Sequence, residues 1–98
     1  MIFKEDGYLG VMGNTVLSGD YKNGDIKVSG LRANKIVLVF RGLLGKKEIP
    51  IDKTTVIKFE INRQQYQQNN ISLYFKDGKK SMCAVTNDML NRLQAIFF

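Results

Sequence analysis

The chain has 98 residues, 44% hydrophobic and 24% charged, and its 15 lysines and arginines outnumber its 9 aspartates and glutamates, giving a formal net charge of +6. This composition excludes intrinsic disorder, and the longest apolar run, residues 36–40, falls far short of the roughly 20 residues that span a bilayer. We therefore expect a single soluble domain covering residues 1–98, with a charge that attracts nucleic acid, anionic lipid or acidic protein without choosing among them.

Two features of the sequence favour the cytoplasm. Residues 1–7 carry acidic side chains and a glycine, where an export signal needs an apolar run of about 7 to 15 residues. Cys83 is the one cysteine, so no internal disulfide can form, and its apolar neighbours suit a reducing compartment.

The first 19 residues predict one or two short strands rather than a helix. Their apolar residues are interrupted by Gly7, Gly10, Gly13 and Gly19, and each interior glycine costs a helix about 1 kcal/mol relative to alanine. Turns are expected at residues 4–7 and 11–15.

The next element is a hairpin at Asn23-Gly24, a dipeptide that supplies the two positive-φ residues of a type I′ turn. In the strand that follows, Ile26 and Val28 should face the core, while Lys27 and Ser29 face water.

Residues 35–61 predict three strands. The consecutive apolar residues 36–40 indicate a strand buried on both faces, which Arg41-Gly42 then turns into residues 43–61. Pro50 cannot donate a ladder hydrogen bond, so it belongs at a strand end or a sheet edge, where the chain kinks. Beyond the kink, a period of two places three residues in the core: Ile57, Phe59 and Ile61.

The last third of the chain contains the clearest patterns. Residues 63–70 lack any period and predict an exposed loop. Asp77-Gly78 predicts a tight hairpin, because the strand before it alternates Ile71, Leu73 and Phe75 with Ser72, Tyr74 and Lys76.

Residues 86–98 predict an amphipathic helix of about three turns. Thr86-Asn87-Asp88 offers an N-cap and an early acid. An apolar stripe follows, made of Met89, Leu90, Leu93, Ile96 and Phe97. The stripe must pack on something, and the opening of a barrel is the expected place.

Residues 28–39 (VSGLRANKIVLV) and 42–59 (GLLGKKEIPIDKTTVIKF), followed by a hairpin and a closing helix, resemble bacterial pleckstrin-homology-like (PH-like) domains. The resemblance covers residues 24–98. It implies a mainly β fold, an open barrel of two near-orthogonal antiparallel sheets with about seven strands, capped by one C-terminal helix. Eukaryotic members that bind phosphoinositides carry a motif of lysines and arginines around the first hairpin. Its nearest match here is Lys22 and Lys27, with Ser29 in place of the arginine. This departure argues against inositol phosphate binding.

The sequence holds no strong signature of catalysis, so we expect neither an enzyme nor a cofactor. The absence of histidine removes the commonest general base and the commonest zinc ligand. Cys83 reads as a small buried hydrophobe, and most carboxylates sit beside turns, where they bond local backbone.

The candidate anion or partner surface consists of two lysine clusters and one tyrosine: Lys46 and Lys47; Lys76, Lys79 and Lys80; and Tyr74. If the fold brings the clusters together they form one patch; otherwise each is a solvated hairpin, the interpretation that we favour. The expected function is non-enzymatic interaction or scaffolding, with a protein or peptide partner bound through the barrel surface. Single-stranded nucleic acid, peripheral attachment to anionic lipid and a homodimer remain open alternatives.

Overall fold

A computed structural model describes residues 13–32 and 34–98. The strands and turns expected within residues 1–12 lie outside the described residues. The described part contains seven strands and one helix: Thr15–Gly19 (β1), Asp25–Ser29 (β2), Lys35–Gly42 (β3), Gly45–Pro50 (β4), Val56–Arg63 (β5), Asn69–Phe75 (β6), Lys80–Val85 (β7) and Asn87–Phe97 (α1).

These strands form one antiparallel sheet in the order β4-β3-β2-β1-β7-β6-β5. Every strand pairs with a strand adjacent to it in the sequence, and β1 also pairs with β7. The expectation of a mainly β chain with a C-terminal helix is confirmed. The sheet made by the described strands is not closed, since β4 and β5 lie at its two edges.

The turn between β1 and β2 differs from the one predicted. Tyr21 and Asn23 adopt the positive φ values of 64° and 70°, whereas Gly24 does not adopt one, so the type I′ prediction for Asn23-Gly24 is wrong. Gly24 is needed for space instead, because a Cβ atom there would lie 3.0 Å from Leu38 Cδ1 and 3.1 Å from the carbonyl oxygen of Val39. The flanking strands are confirmed, with Ile26 buried and Lys27 exposed.

Strand β3 is confirmed, but it is not buried on both faces. Ile36 and Leu38 are buried, while Val37 and Val39 on the opposite face are only half-buried. The turn that follows comes one step later than predicted, because Gly42 pairs with Gly45 and leaves Leu43 and Leu44 at the tip of the β3–β4 hairpin.

The predicted position of Pro50 at a strand end on a sheet edge is confirmed among the described strands. Pro50 ends β4, an edge strand, and the next amide, that of Ile51, donates to the carbonyl of Ile36 at 2.8 Å. Thr55 Oγ1 donates to the carbonyl of Pro50 and helps to fix the connection to β5.

The predicted inward position of Ile57 is wrong, because β5 contains a bulge. Val56 pairs with Phe75 and Lys58 pairs with Tyr74, so Ile57 is an extra residue on the bulged strand. Val56 takes the core position in its place, and the Ile57 side chain is 63% exposed. Phe59 returns to the core as predicted.

The Asp77-Gly78 hairpin between β6 and β7 is confirmed. The amide of Phe75 donates to the carbonyl of Lys79 at 2.8 Å, and Gly78 takes a φ of 93°, the left-handed conformation that closes such a turn. Ser72 was expected to face water, but it is buried beside Asn62, whose Nδ2 donates to its hydroxyl at 2.8 Å.

The predicted exposed loop at residues 63–70 is shorter than expected, because β6 already begins at Asn69. The Asn69 side chain is 2% exposed and donates from Nδ2 to the carbonyl of Val85 at 3.2 Å and to Asn87 Oδ1 at 2.9 Å. Asn87 also accepts a bond from the amide of Gln67, so this network ties the loop to the start of α1.

The helix is confirmed with its cap. Thr86 Oγ1 accepts from the amide of Met89 at 3.3 Å, and the Thr86 amide donates to Asn14 Oδ1 at 2.7 Å, which fixes the start of α1 against the chain just before β1. Its apolar side packs into the single hydrophobic cluster of the described residues, with Met89, Leu90 and Leu93 buried and with Ile96 and Phe97 at its margin.

Candidate functional site

The lysines predicted to form an anion or partner surface are distributed over the sheet. Lys46 and Lys47 lie on edge strand β4, opposite Arg41 and Phe40 of β3. Lys76, Lys79 and Lys80 lie in and after the β6–β7 turn, and in the sheet order three strands stand between β4 and β7.

Tyr74 is held between two lysines on the face of the sheet away from the core. Lys58 Nζ lies 4.9 Å and Lys80 Nζ 5.0 Å from the centroid of its ring, on the strands to either side. The Tyr74 hydroxyl donates to Glu60 Oε1 at 2.8 Å, and this bond, together with Lys58, holds the pKa of Glu60 below its usual value. Tyr74 therefore has two lysine neighbours: Lys80, which belongs to the predicted surface, and Lys58, which the sequence pattern did not single out.

Lys79 points to a different neighbour. Its Nζ lies 3.3 Å from Asp77 Oδ2 and 5.9 Å from the centroid of the Tyr21 ring, which in turn packs against Phe40 and Phe75 at centroid distances of 4.7 and 5.3 Å. Lys79 therefore pairs with Asp77 of the same turn, and this hydrogen bond is the main cause of its raised pKa.

A groove at the outer edge of the sheet is the main feature that the sequence did not predict. It has a volume of about 330 Å³ and lies where the start of β5 meets the C-terminal end of α1. Five apolar residues line it: Val56, Ile57, Phe59, Phe97 and Phe98. Phe59 contacts Phe97 and Phe98 with ring centroids 5.6 and 5.4 Å apart, so the helix end and the strand form one aromatic floor.

Three lysines surround this floor. Lys53, Lys58 and Lys76 line the groove and are exposed, and no acidic side chain is among the described residues that line it. Of the predicted surface residues, only Lys76 belongs to this site. The other residues of the groove could not be found from clusters in the sequence, because the floor joins residues about 40 positions apart in the chain.

The turn before β5 sets the position of the groove. Asp52 Oδ1 accepts from the amide of Thr54 at 2.8 Å and from the Thr54 hydroxyl, and these bonds lower the pKa of Asp52. The amide of Val56 donates to the carbonyl of Asp52 at 2.9 Å, and that of Lys76 donates to the carbonyl of Thr55 at 2.9 Å. Residues 52–55, which include Lys53, are therefore bonded to the backbone of Lys76, so two of the three rim lysines are held close together.

Cys83 lies fully buried in β7, as predicted, and desolvation raises the pKa of its thiol to about 12. We expect a thiol reagent such as 5,5′-dithiobis(2-nitrobenzoate) to leave Cys83 of the folded protein unmodified at pH 8, since both the thiolate and access are lacking. One equivalent should react at once in 6 M guanidinium chloride. Rapid reaction of the folded protein would contradict the burial of β7.

The described residues contain no cluster of three or more cysteine, aspartate or glutamate side chains able to hold a metal ion. In residues 13–32 and 34–98, no helix is long and apolar enough to cross a membrane.

Fold and site together define a small mainly β protein with a C-terminal helix, carrying a lysine-rimmed apolar groove at one sheet edge. Comparisons of this chain with protein-family models, with curated proteins and with solved structures find no match.

Proposed function

We propose that this protein is a non-enzymatic interaction domain of PH-like architecture, and that it binds a segment of a partner protein in the groove between β5 and α1. The observation that carries the proposal is the groove itself, with its aromatic floor and its rim of three lysines. The proposed partner segment is acidic and carries one or two large apolar side chains.

The topology supports the PH-like part of this proposal. Among the described residues, β1 pairs with β2 at Thr15 and Asp25, whereas it pairs with β7 from Thr15 to Gly19, with a bulge after Val16. The short β1–β2 ladder supports a change of strand direction between β1 and β2, which two sheets crossing at a large angle would require. The helix follows β7 directly and covers the core, as a barrel cap would.

The groove suits an extended segment because β5 is an edge strand among the described strands. A peptide laid along such an edge gains backbone hydrogen bonds, and its alternate side chains enter adjacent pockets. Here the exposed Ile57 and Phe98 would be covered by the bound segment, and the lysines would face its carboxylates. The same rim disfavours a second copy of this basic chain as the occupant, since like charges would then oppose each other.

Tyr74 is less suited to stacking a nucleic-acid base. Its ring already has Lys58 and Lys80 beside it, so a base could stack there only by displacing one of them. A groove-bound acidic segment could pair with Lys53 and Lys76 without such a displacement, while Lys58 stays with Glu60, whose Oε2 lies 3.4 Å from its Nζ.

Selection of a random 12-residue peptide library displayed on phage tests the proposal. We expect the enriched peptides to combine acidic residues with an aromatic or aliphatic anchor. The double variant Ile57→Ser/Phe98→Ser should bind them about tenfold more weakly or worse, because it removes the apolar contacts at the centre of the groove. Synthetic peptides and isothermal titration calorimetry give the affinities.

The matched control is Tyr66→Ser, which removes a large exposed side chain from the loop at residues 64–68, away from the groove. Peptides that bind the wild type and the groove variant equally, or that are enriched in basic residues, would overturn the proposed site. Lys53→Glu/Lys76→Glu should weaken binding further at low salt and lose its effect as salt is raised.

A further inference from the structure

The tip of the β3–β4 hairpin exposes two consecutive leucines. Relative to an extended reference, the exposure is 104% for Leu43 and 93% for Leu44, and the two residues form the turn between the paired glycines Gly42 and Gly45. Nothing in the core depends on either side chain, so their apolar character has no role in the described fold.

Cations surround the base of this tip. Arg41 and Lys46 lie directly opposite each other across the hairpin, and Lys47 follows on the edge strand; all three side chains are exposed. Like charges placed opposite each other destabilise a strand pair. Asp25 shares a shallow depression with Arg41, Lys46 and Lys27, so cations outnumber acids there by three to one.

We propose that this hairpin inserts Leu43 and Leu44 into the surface of an anionic lipid bilayer, with Arg41, Lys46 and Lys47 held at the level of the headgroups. Two apolar side chains on a narrow protruding turn are enough for shallow insertion, since binding at a bilayer surface adds buried apolar area to attraction for anionic lipid. Each cation near such a surface contributes about fivefold to partitioning at physiological salt.

The shape of the tip favours a bilayer over a protein partner. A stable protein interface buries about 800 Å² on each side, with a packed centre surrounded by a rim. A two-residue turn that projects from the sheet offers far less area and no concave surface. A fluid bilayer closes around a protruding side chain without a matching shape.

This inference does not depend on the groove between β5 and α1. The tip joins β3 to edge strand β4, while the groove lies at β5, the opposite edge in the sheet order. Loss of vesicle binding with peptide binding intact, or the reverse, tells the two proposals apart.

The chain contains no tryptophan, which allows a direct measurement of insertion. The variant Leu44→Trp places the one tryptophan at the tip. With vesicles of phosphatidylcholine containing 30% phosphatidylglycerol, its emission should shift to the blue, and lipids brominated near the headgroup should quench it. Vesicles of phosphatidylcholine alone should produce little shift.

Leu31→Trp is the matched control. Leu31 is 107% exposed and lies after β2, in the connection that leads to the opposite end of β3, so its tryptophan should stay in water. In co-sedimentation with the anionic vesicles, Leu43→Ser/Leu44→Ser should reduce partitioning at least tenfold, and Leu31→Ser should leave it unchanged.

The proposal is overturned if anionic vesicles leave the emission of Leu44→Trp unchanged, or if Leu31→Trp is shifted and quenched equally. It is also overturned if Leu43→Ser/Leu44→Ser partitions like the wild type, or if that variant loses binding to a selected peptide while keeping binding to vesicles. Equal denaturation midpoints of the serine variants and the wild type exclude a folding defect as the cause of lost partitioning.

Discussion

Replacing Leu93 with alanine should lower the free energy of unfolding by about 2 to 5 kcal/mol. The Leu93 side chain is fully buried on the face of α1 that packs into the core, between Met89 and Leu90 on one side and the half-buried Ile96 on the other. Truncation removes apolar contacts and leaves a cavity that the neighbouring strands cannot fill. A loss of this size is a large fraction of the total stability of a small domain.

Urea denaturation followed by circular dichroism measures the effect. Leu44→Ala is the matched control, since it removes the same atoms from an exposed position and should change the stability by less than about 0.5 kcal/mol. If Leu93→Ala left the midpoint unchanged, α1 could not be docked on the sheet. A wild-type midpoint that rises with protein concentration would indicate that association of copies adds to the stability.

The second large effect is expected for Asn69→Ala, with a loss of about 1 to 3 kcal/mol. The buried Nδ2 of Asn69 donates to the carbonyl of Val85 and to Asn87 Oδ1. Alanine leaves the Val85 carbonyl without this donor at a buried position, where an unsatisfied polar group is costly. The end of β7 and the first turn of α1 should therefore loosen together.

Two comparisons isolate the contribution of the hydrogen bonds. Asn70→Ala changes the same residue type at the adjacent, half-buried position and should cost less. A double-mutant cycle of Asn69→Ala with Asn87→Ala should show a coupling of at least about 0.5 kcal/mol, since the two side chains are in contact. Additive effects, or an Asn70→Ala loss equal to that of Asn69→Ala, would contradict the network.

The elements that the sequence predicted well are those specified by local chemistry. Asp77-Gly78 forms its hairpin because the glycine at position 78 takes the left-handed conformation, and α1 starts directly after Thr86 because the Thr86 hydroxyl caps the amide of Met89. Pro50 ends β4 because it has no amide hydrogen to donate. None of these features needs information from a distant part of the chain.

The errors occurred where a distant contact overrides the local pattern. Alternation alone placed Ile57 in the core, but pairing with β6 inserts a bulge that moves Val56 there instead. Asn69 reads as part of a polar loop until its partners Val85 and Asn87, which are 16 and 18 positions away, are known. Gly24 resembles a turn glycine, but it is required by the close approach of β3.

The candidate site was largely hidden from the sequence for the same reason. Lysines can be counted in a sequence, and Lys76 was found in this way, but the groove exists only because α1 brings Phe97 and Phe98 against Phe59. Lys58 and Tyr74 likewise become neighbours through the pairing of β5 with β6. The polarity of each residue could be predicted from the sequence, but its neighbours in the fold could not.

The two edges of the sheet formed by the described strands have a consequence for solubility. An unprotected strand edge is a template on which other chains aggregate. On β4, the exposed Lys46, Lys47 and Glu48 and the terminal Pro50 make the addition of a further strand unfavourable, and on β5 the bulge at Ile57 interrupts the regular ladder. These residues act as gatekeepers against indiscriminate self-association, including at the β5 edge where we propose that a partner segment binds.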